Sequence, residues 1–299
     1  MDGEDQGLQT QYATTDTAEE AIAWIEQQAG PWFLWLQFNA PHVPLHAPPA
    51  RLHTRGDLDG THAHVLYAAI LEATDRELGR VIRAAGDNTT FFVMGDNGTF
   101  KTAIAPPFDK TRGKLSIYEG GVQVPLIVAG PDVPQDLRGR ESEALVQASD
   151  LFATITELAG RPAQAEDSAS FAPQLRGEST SGRTLLYTSR FRPNGCPPEP
   201  RRYRRAARDD RFKLVRGPGS KQELYDLLED PRESRDLLTR PPAPSAAARL
   251  RRLASFIDTK EWPDDASSVH PSPWAIAAGV TILAAGLLAL RRRSRAPAS

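Results

Sequence analysis

Apolar positions along the chain fall into two kinds of run. Trp32-Phe33-Leu34-Trp35-Leu36 and Phe91-Phe92-Val93-Met94 are short and continuous, as expected of strands covered on both faces. Val122 to Ala129 reads as a third strand after a Gly-Gly turn. Between the first two, apolar residues recur at Leu66, Ala69, Ile70, Ala73, Leu78, Val81 and Ile82, the stripe of an amphipathic helix from Val65 to Ala85. Thr17-Ala18-Glu19-Glu20 has the form of a capping box, with Ala18, Ala21, Ile22 and Ile25 behind it at helical spacing, and Gly30-Pro31 ends that helix. Leu145 to Ala159 reads as a further helix. Strand, helix, strand, turn, strand predicts an open α/β sheet with helical cover.

Beyond residue 160 the pattern changes. Residues 161 to 182 are small and polar, a linker. Leu185 to Thr188 is strand-like, and Tyr203 to Val215 and Glu223 to Leu227 flank Gly217-Pro218-Gly219-Ser220 as an antiparallel hairpin. Ala246 to Ile257 carries a last amphipathic helix. A Pro/Ser/acidic stalk over 263–273 follows, and then Trp274 to Leu290 runs without a charge into Arg291-Arg292-Arg293. As a helix that run would reach roughly 25 Å at ~1.5 Å per residue, somewhat short of a ~30 Å hydrocarbon core. Arginines on one side and acids on the other predict a membrane anchor, with residues 291–299 cytoplasmic and the body facing the periplasm or the outside.

Composition narrows the function little. A net charge of −2 gives no general attraction to nucleic acid or anionic membrane. The single Cys196 excludes an internal disulfide framework and a Cys-rich zinc site, and its role stays open. The acidic start, Met1-Asp2-Gly3-Glu4-Asp5, has no signal-peptide character, at odds with an exported body.

Candidate chemistry clusters at the ends of the strands, where open α/β sheets bind ligands. Asp96 and Asn97 follow the second strand and offer two hard oxygen donors, suited to Ca²⁺ or Mg²⁺. His42, between Pro41 and Pro44, offers an imidazole on a stiffened loop that could hold an anionic oxygen or deliver a proton. Lys114, after Gly113, offers an ammonium that could offset charge on a sulfuryl or phosphoryl group. Each also has a plain structural reading: a tight Asn-Gly turn, a loop histidine, a solvated lysine.

Taken in order, Pro41-His42-x-Pro44, Asp96-Asn97-Gly98, Arg112-Gly113-Lys114 and Tyr118-Glu119-Gly120-Gly121-Val122-x-Val124-Pro125 resemble the sulfatase family of the alkaline phosphatase superfamily. The resemblance continues through Arg211-Phe212-Lys213-Leu214 and Glu223-Leu224-Tyr225-Asp226-Leu227 to about Leu238. It implies a sheet with helices on both faces over residues 1–160, lacking its N-terminal part, and a small antiparallel α+β subdomain over 183–262. It implies a divalent-cation-dependent sulfuric ester hydrolase in which Asp96 and Asn97 are metal ligands and His42 and Lys114 contact a carbohydrate or other sulfate ester. It also implies a formylglycine nucleophile from a [Cys/Ser]-x-Pro-x-Arg motif and an acidic pair of metal ligands near the N-terminus. Nothing in residues 1 to 40 resembles either, and Cys196-Pro197-Pro198-Glu199-Pro200-Arg201 has its arginine one place late. The chain is therefore expected to be inactive alone.

Other readings remain. The chain could be a non-catalytic membrane-tethered module, or a phosphoester hydrolase of the same superfamily. His62-x-His64 could serve a transition metal, although no nearby acid completes the set. The ten arginines from Arg183 to Arg216 fit a solvated face or the rim of an anionic-substrate site better than a nucleic-acid surface, because no aromatic series accompanies them.

Overall fold

The computed structural model describes residues 11–178, 182–191, 203–219, 221–260 and 286–291. Two four-stranded sheets organise them. The first has the order β1-β8-β2-β3, with β1 Trp32–Gln37, β2 Thr89–Met94, β3 Leu126–Ala129 and β8 Gly286–Arg291. Because β8 is antiparallel to both β1 and β2, those two strands run parallel, joined by α2 (Ala63–Ala85). The second sheet, β4 (Leu186–Arg190), β5 (Arg204–Arg208), β6 (Phe212–Arg216) and β7 (Gln222–Asp226), is an antiparallel meander backed by α6 (Pro244–Asp258).

Helices cover the first sheet from both sides, staggered. On one face α1 (Ala13–Glu26) and α2 bring Ala18, Ala21, Ile25, Val81 and Ala85 against Trp32, Leu36 and Phe91. The predicted capping box lies inside α1, which starts one turn earlier at Tyr12 without a side-chain cap. A buried Glu77 joins the two helices by accepting from Thr15 Oγ1 at 2.8 Å and Arg80 Nη1 at 2.6 Å. The helix α2 stops at Gly86, whose φ of 72° few other residues adopt. On the other face α4 (Asp150–Leu158) and α5 (Ala172–Leu175) pack on Phe92, which is fully buried and contributes about 1.5–3 kcal/mol of hydrophobic stabilisation. These helices lie over β2 and β3 rather than β1, so Phe33 and Trp35 are 45% and 46% exposed, not covered on both sides as their run predicts.

Three further expectations change. Val122 to Ala129 splits into a helical turn, α3 (Glu119–Val122), a connector, and the four-residue β3. The polar linker contains α5 and contributes Phe171 to the core, and Asp150 pins its end by pairing with Arg183 at 2.6 Å. The predicted membrane helix is not formed where it can be seen. Residues 286–290 lie in β8, and no helix among the described residues is long and apolar enough to cross a membrane. An unbroken apolar run fits an interior strand as readily as a helix, since either pairs its backbone groups. Residues 274–285, the stalk, the basic tail after Arg291 and Cys196 lie outside the described residues.

Candidate functional site

A cleft of about 450 Å³ opens beyond the carboxyl ends of β1 and β2, and His42, Asp96, Asn97 and Lys114 all line it. His42 sits five residues past β1, its backbone N–H bonded to Asn39 O at 3.0 Å. Its Nδ1 lies 2.8 Å from the Val43 carbonyl. A carbonyl only accepts, so Nδ1 carries the hydrogen and Nε2 is the free ring nitrogen.

Asp96 and Asn97 follow β2 directly. The Asn97 amide nitrogen donates to Gly98 O at 3.0 Å, which leaves its side-chain oxygen free to accept or to ligate. Gly98 is not required here by the turn chemistry its Asn-Gly pair announces. Its backbone presses on the neighbouring segment: a Cβ there would stand 1.9 Å from Gly120 O, and its N–H donates to Gly121 O at 3.0 Å. Lys114 is held in the same manner, its N–H donating to Thr99 O at 2.8 Å, while a Cβ on Gly113 would approach Thr99 O to 2.4 Å. Two loops distant in sequence are thus stacked backbone on backbone, which only glycines permit.

Among the described residues, Lys114 and Asp96 make neither an ion pair nor a side-chain hydrogen bond, though both line the cleft and are half-buried. One wall comes from α2, where Tyr67, Leu71, Asp75 and Leu78 share a helical stripe. Tyr67, Leu71 and Asp75 lie outside the apolar stripe that marks α2 in the sequence, whereas Leu78 belongs to it. The signal that joins the four is their i, i+4, i+8, i+11 spacing along the flank of that stripe. Burial pushes the Tyr67 phenol above its ordinary value, and the Asp96 carboxylate adds to the shift. His62 and His64 stack with ring centroids 5.6 Å apart and do not line the cleft.

Asp96 and Asn97 fit part of a hard-cation shell. No group of three or more His, Cys, Asp or Glu among the described residues could hold a metal ion, and two oxygens fall short of the roughly six to eight that Ca²⁺ takes. A complete shell is therefore not assembled from these residues.

An α/β sheet with a cleft at its strand ends, lined by an imidazole, a carboxylate, an amide and an ammonium, has the form of a ligand-binding domain. Comparison with known proteins gives the family. The sulfatase model matches residues 2–161, over half of the chain, and the model of the N-sulphoglucosamine sulphohydrolase C-terminal region matches residues 108–258. The chain belongs to the sulfatase family, within the alkaline phosphatase superfamily. A sulfatase of Formosa agariphila is 27% identical over 263 residues, 78% of this chain and 47% of the relative. A Delta 4,5-hexuronate-2-O-sulfatase of Bacteroides thetaiotaomicron is 29% identical over 190 residues, 60% of this chain and 37% of the relative. The structure of Ps i-CgsB in complex with k-i-k-neocarrahexaose superposes with a TM-score of 0.70 at 23% identity, covering 91% of this chain and 60% of that one, a likeness of fold. The chain spans half or less of the length of these curated relatives.

Proposed function

We propose that the cleft binds the sulfate group of a carbohydrate sulfate ester and supports hydrolysis of its S–O bond. The observation that carries this reading is an ammonium and a carboxylate in one cleft that are not spent on each other: Lys114 is left for an anion and Asp96 for a cation. Lys114 offsets negative charge on the sulfuryl oxygens as the bond breaks. His42, its Nδ1–H held by Val43 O, presents Nε2 to the leaving-group oxygen; as the imidazolium it gives the Nε2 proton to the departing alkoxide and is left as the neutral Nδ1–H tautomer. Asp96 and the free oxygen of Asn97 are two of the ligands of a divalent cation, Ca²⁺ or Mg²⁺, which when bound would neutralise further sulfate charge. The carbohydrate class is favoured because three of the relatives are named for sugar sulfates, on hexuronate, N-acetylgalactosamine and N-acetylglucosamine, against steryl-sulfatases of mouse and rat.

Hydrolysis also needs a nucleophile, and residues 1–299 contain no [Cys/Ser]-x-Pro-x-Arg motif to supply the one the family uses. The purified chain should therefore release no sulfate from an aryl or sugar sulfate, and robust turnover would refute that. Binding is the sharper test. Inorganic sulfate and glucosamine 6-sulfate titrated into the chain by calorimetry should compete for one site. Lys114→Ala should weaken both by about tenfold or more, on the scale of a lost charge-assisted contact. Unchanged affinity in that variant would remove Lys114 from the site.

A further inference from the structure

The segment that carries Lys114 is gripped from behind by the second sheet. Glu119 presents its carboxylate to two cations of that sheet, Lys213 Nζ at 2.7 Å and Arg208 Nη1 at 2.5 Å. Its backbone N–H donates to Glu233 Oε2 at 2.6 Å, and Lys213 also pairs with Glu233 at 3.1 Å. Lys213, Glu119 and Glu233 are only 2%, 5% and 1% exposed, so the cluster sits out of water. Arg112 donates to the Glu233 carbonyl and lies 4.3 Å over the Tyr118 ring. The Tyr118 hydroxyl donates to Glu223 at 2.6 Å.

Two carboxylates and two cations balance in charge. A buried ionic cluster of this kind adds little stability over apolar packing of the same volume. What it adds is a fixed geometry, and the elements it fixes lead to the cleft. From Glu119 the chain passes at once to Gly120 and Gly121, the two residues on which Gly98 of the Asp96-Asn97 loop is seated. From Arg112 it passes to Gly113 and Lys114, bonded to Thr99. We infer that Lys213, with Glu119 and Glu233, is a positioning element of the cleft. Through it the C-terminal sheet sets where Lys114 stands relative to Asp96 and Asn97. The role of that cleft rests on the sulfate-ester reading above; the mechanical coupling does not.

Amide hydrogen exchange on the whole chain separates the two. Lys213→Met leaves two buried carboxylates short of a counter-charge. It should raise exchange at Gly98 and Lys114 by about tenfold while the Phe92 amide in β2 stays within about threefold, the sign of local rather than global opening. Inorganic sulfate should bind about tenfold more weakly. Lys213→Arg should restore most of both. Leu253→Ala, which removes packing from the opposite face of the same sheet, should lower Tm without the selective change at Gly98 and Lys114. Unaltered exchange at those amides in Lys213→Met, or the same selective change in Leu253→Ala, would overturn the inference. If the parent chain binds no sulfate, the sulfate-ester reading fails while the exchange data still decide the coupling. Should Lys213→Met not fold, Glu233→Gln removes one charge yet keeps an acceptor for the Glu119 N–H, and the same comparison applies.

Discussion

Gly98 and Gly30 show how differently two glycines can matter. A Cβ on Gly30 would meet nothing within 4 Å, and its φ is not positive, so Gly30→Ala should leave stability within about 0.5 kcal/mol. A Cβ on Gly98 would sit 1.9 Å from one backbone oxygen and 2.8 Å from its carbon. Backbone cannot yield as a flexible side chain can, so Gly98→Ala should cost at least the 1–3 kcal/mol or so typical of overpacking and lower the calorimetric Tm accordingly. It should also weaken sulfate binding, because it parts the Asp96 loop from the Lys114 loop. An unchanged Tm would contradict the stacking described. The sequence displays the Asn97-Gly98 dipeptide but offers a turn as its reason. The actual reason is a contact across more than twenty residues, which no local pattern encodes. His42, Asp96, Asn97 and Lys114 were legible as chemistry by residue type and position; that they share a cleft is visible only in three dimensions.

Among the elements, those with a sustained period were the legible ones: α2 and α6 by their stripes, β1 and β2 by their apolar runs. Where a side chain bonds locally to the backbone, the period misleads. Tyr203 to Val215 reads as one strand, yet the Asp209 carboxylate accepts from the N–H groups of Arg211 and Phe212 at 2.9 and 2.7 Å and turns it into β5 and β6. The contact between this sheet and the 112–121 segment has a consequence in alkali. Burial pushes the phenols of Tyr118 and Tyr225 up, and the nearby Glu223 charge adds to both shifts. For a raised pKa the associated stability is fully present below the unfolded value, ~10 for tyrosine, and is lost as pH rises through the folded value. The sheet should therefore hold through about pH 10 and loosen above it as these two phenols are forced to ionise. Absorbance at about 295 nm should show a late fraction of the six tyrosines, and Glu223→Gln should bring that fraction to lower pH. A single transition near the ordinary tyrosine value would show that the burial has no such effect.

For the molecule as a whole, the two sheets and the strip between them place an ammonium and a pair of hard oxygen donors in one cleft, and the balance of that site is testable with a cation alone. Affinity for Ca²⁺ follows the number of oxygen ligands and their charge. Asp96 contributes one charge and Asn97 none, and among the described residues no three His, Cys, Asp or Glu side chains are grouped so as to hold a metal ion. That set corresponds to a dissociation constant of about 1 mM or weaker, the low end of protein calcium sites. At ~1 mM Ca²⁺ the native state then gains at most RT ln 2, about 0.4 kcal/mol. For a chain of this size such a gain raises Tm by only about 1–2 °C. Thermal scans with and without ~1 mM CaCl₂ should thus nearly coincide, and Asp96→Asn should erase what difference there is. Adding sulfate together with the cation should shift Tm by more than the sum of the separate shifts, because a cation at Asp96 and an ammonium at Lys114 attract the same anion. Micromolar Ca²⁺ binding would mean that other oxygens complete the shell, and strictly additive shifts would mean that the two halves of the cleft do not serve one ligand.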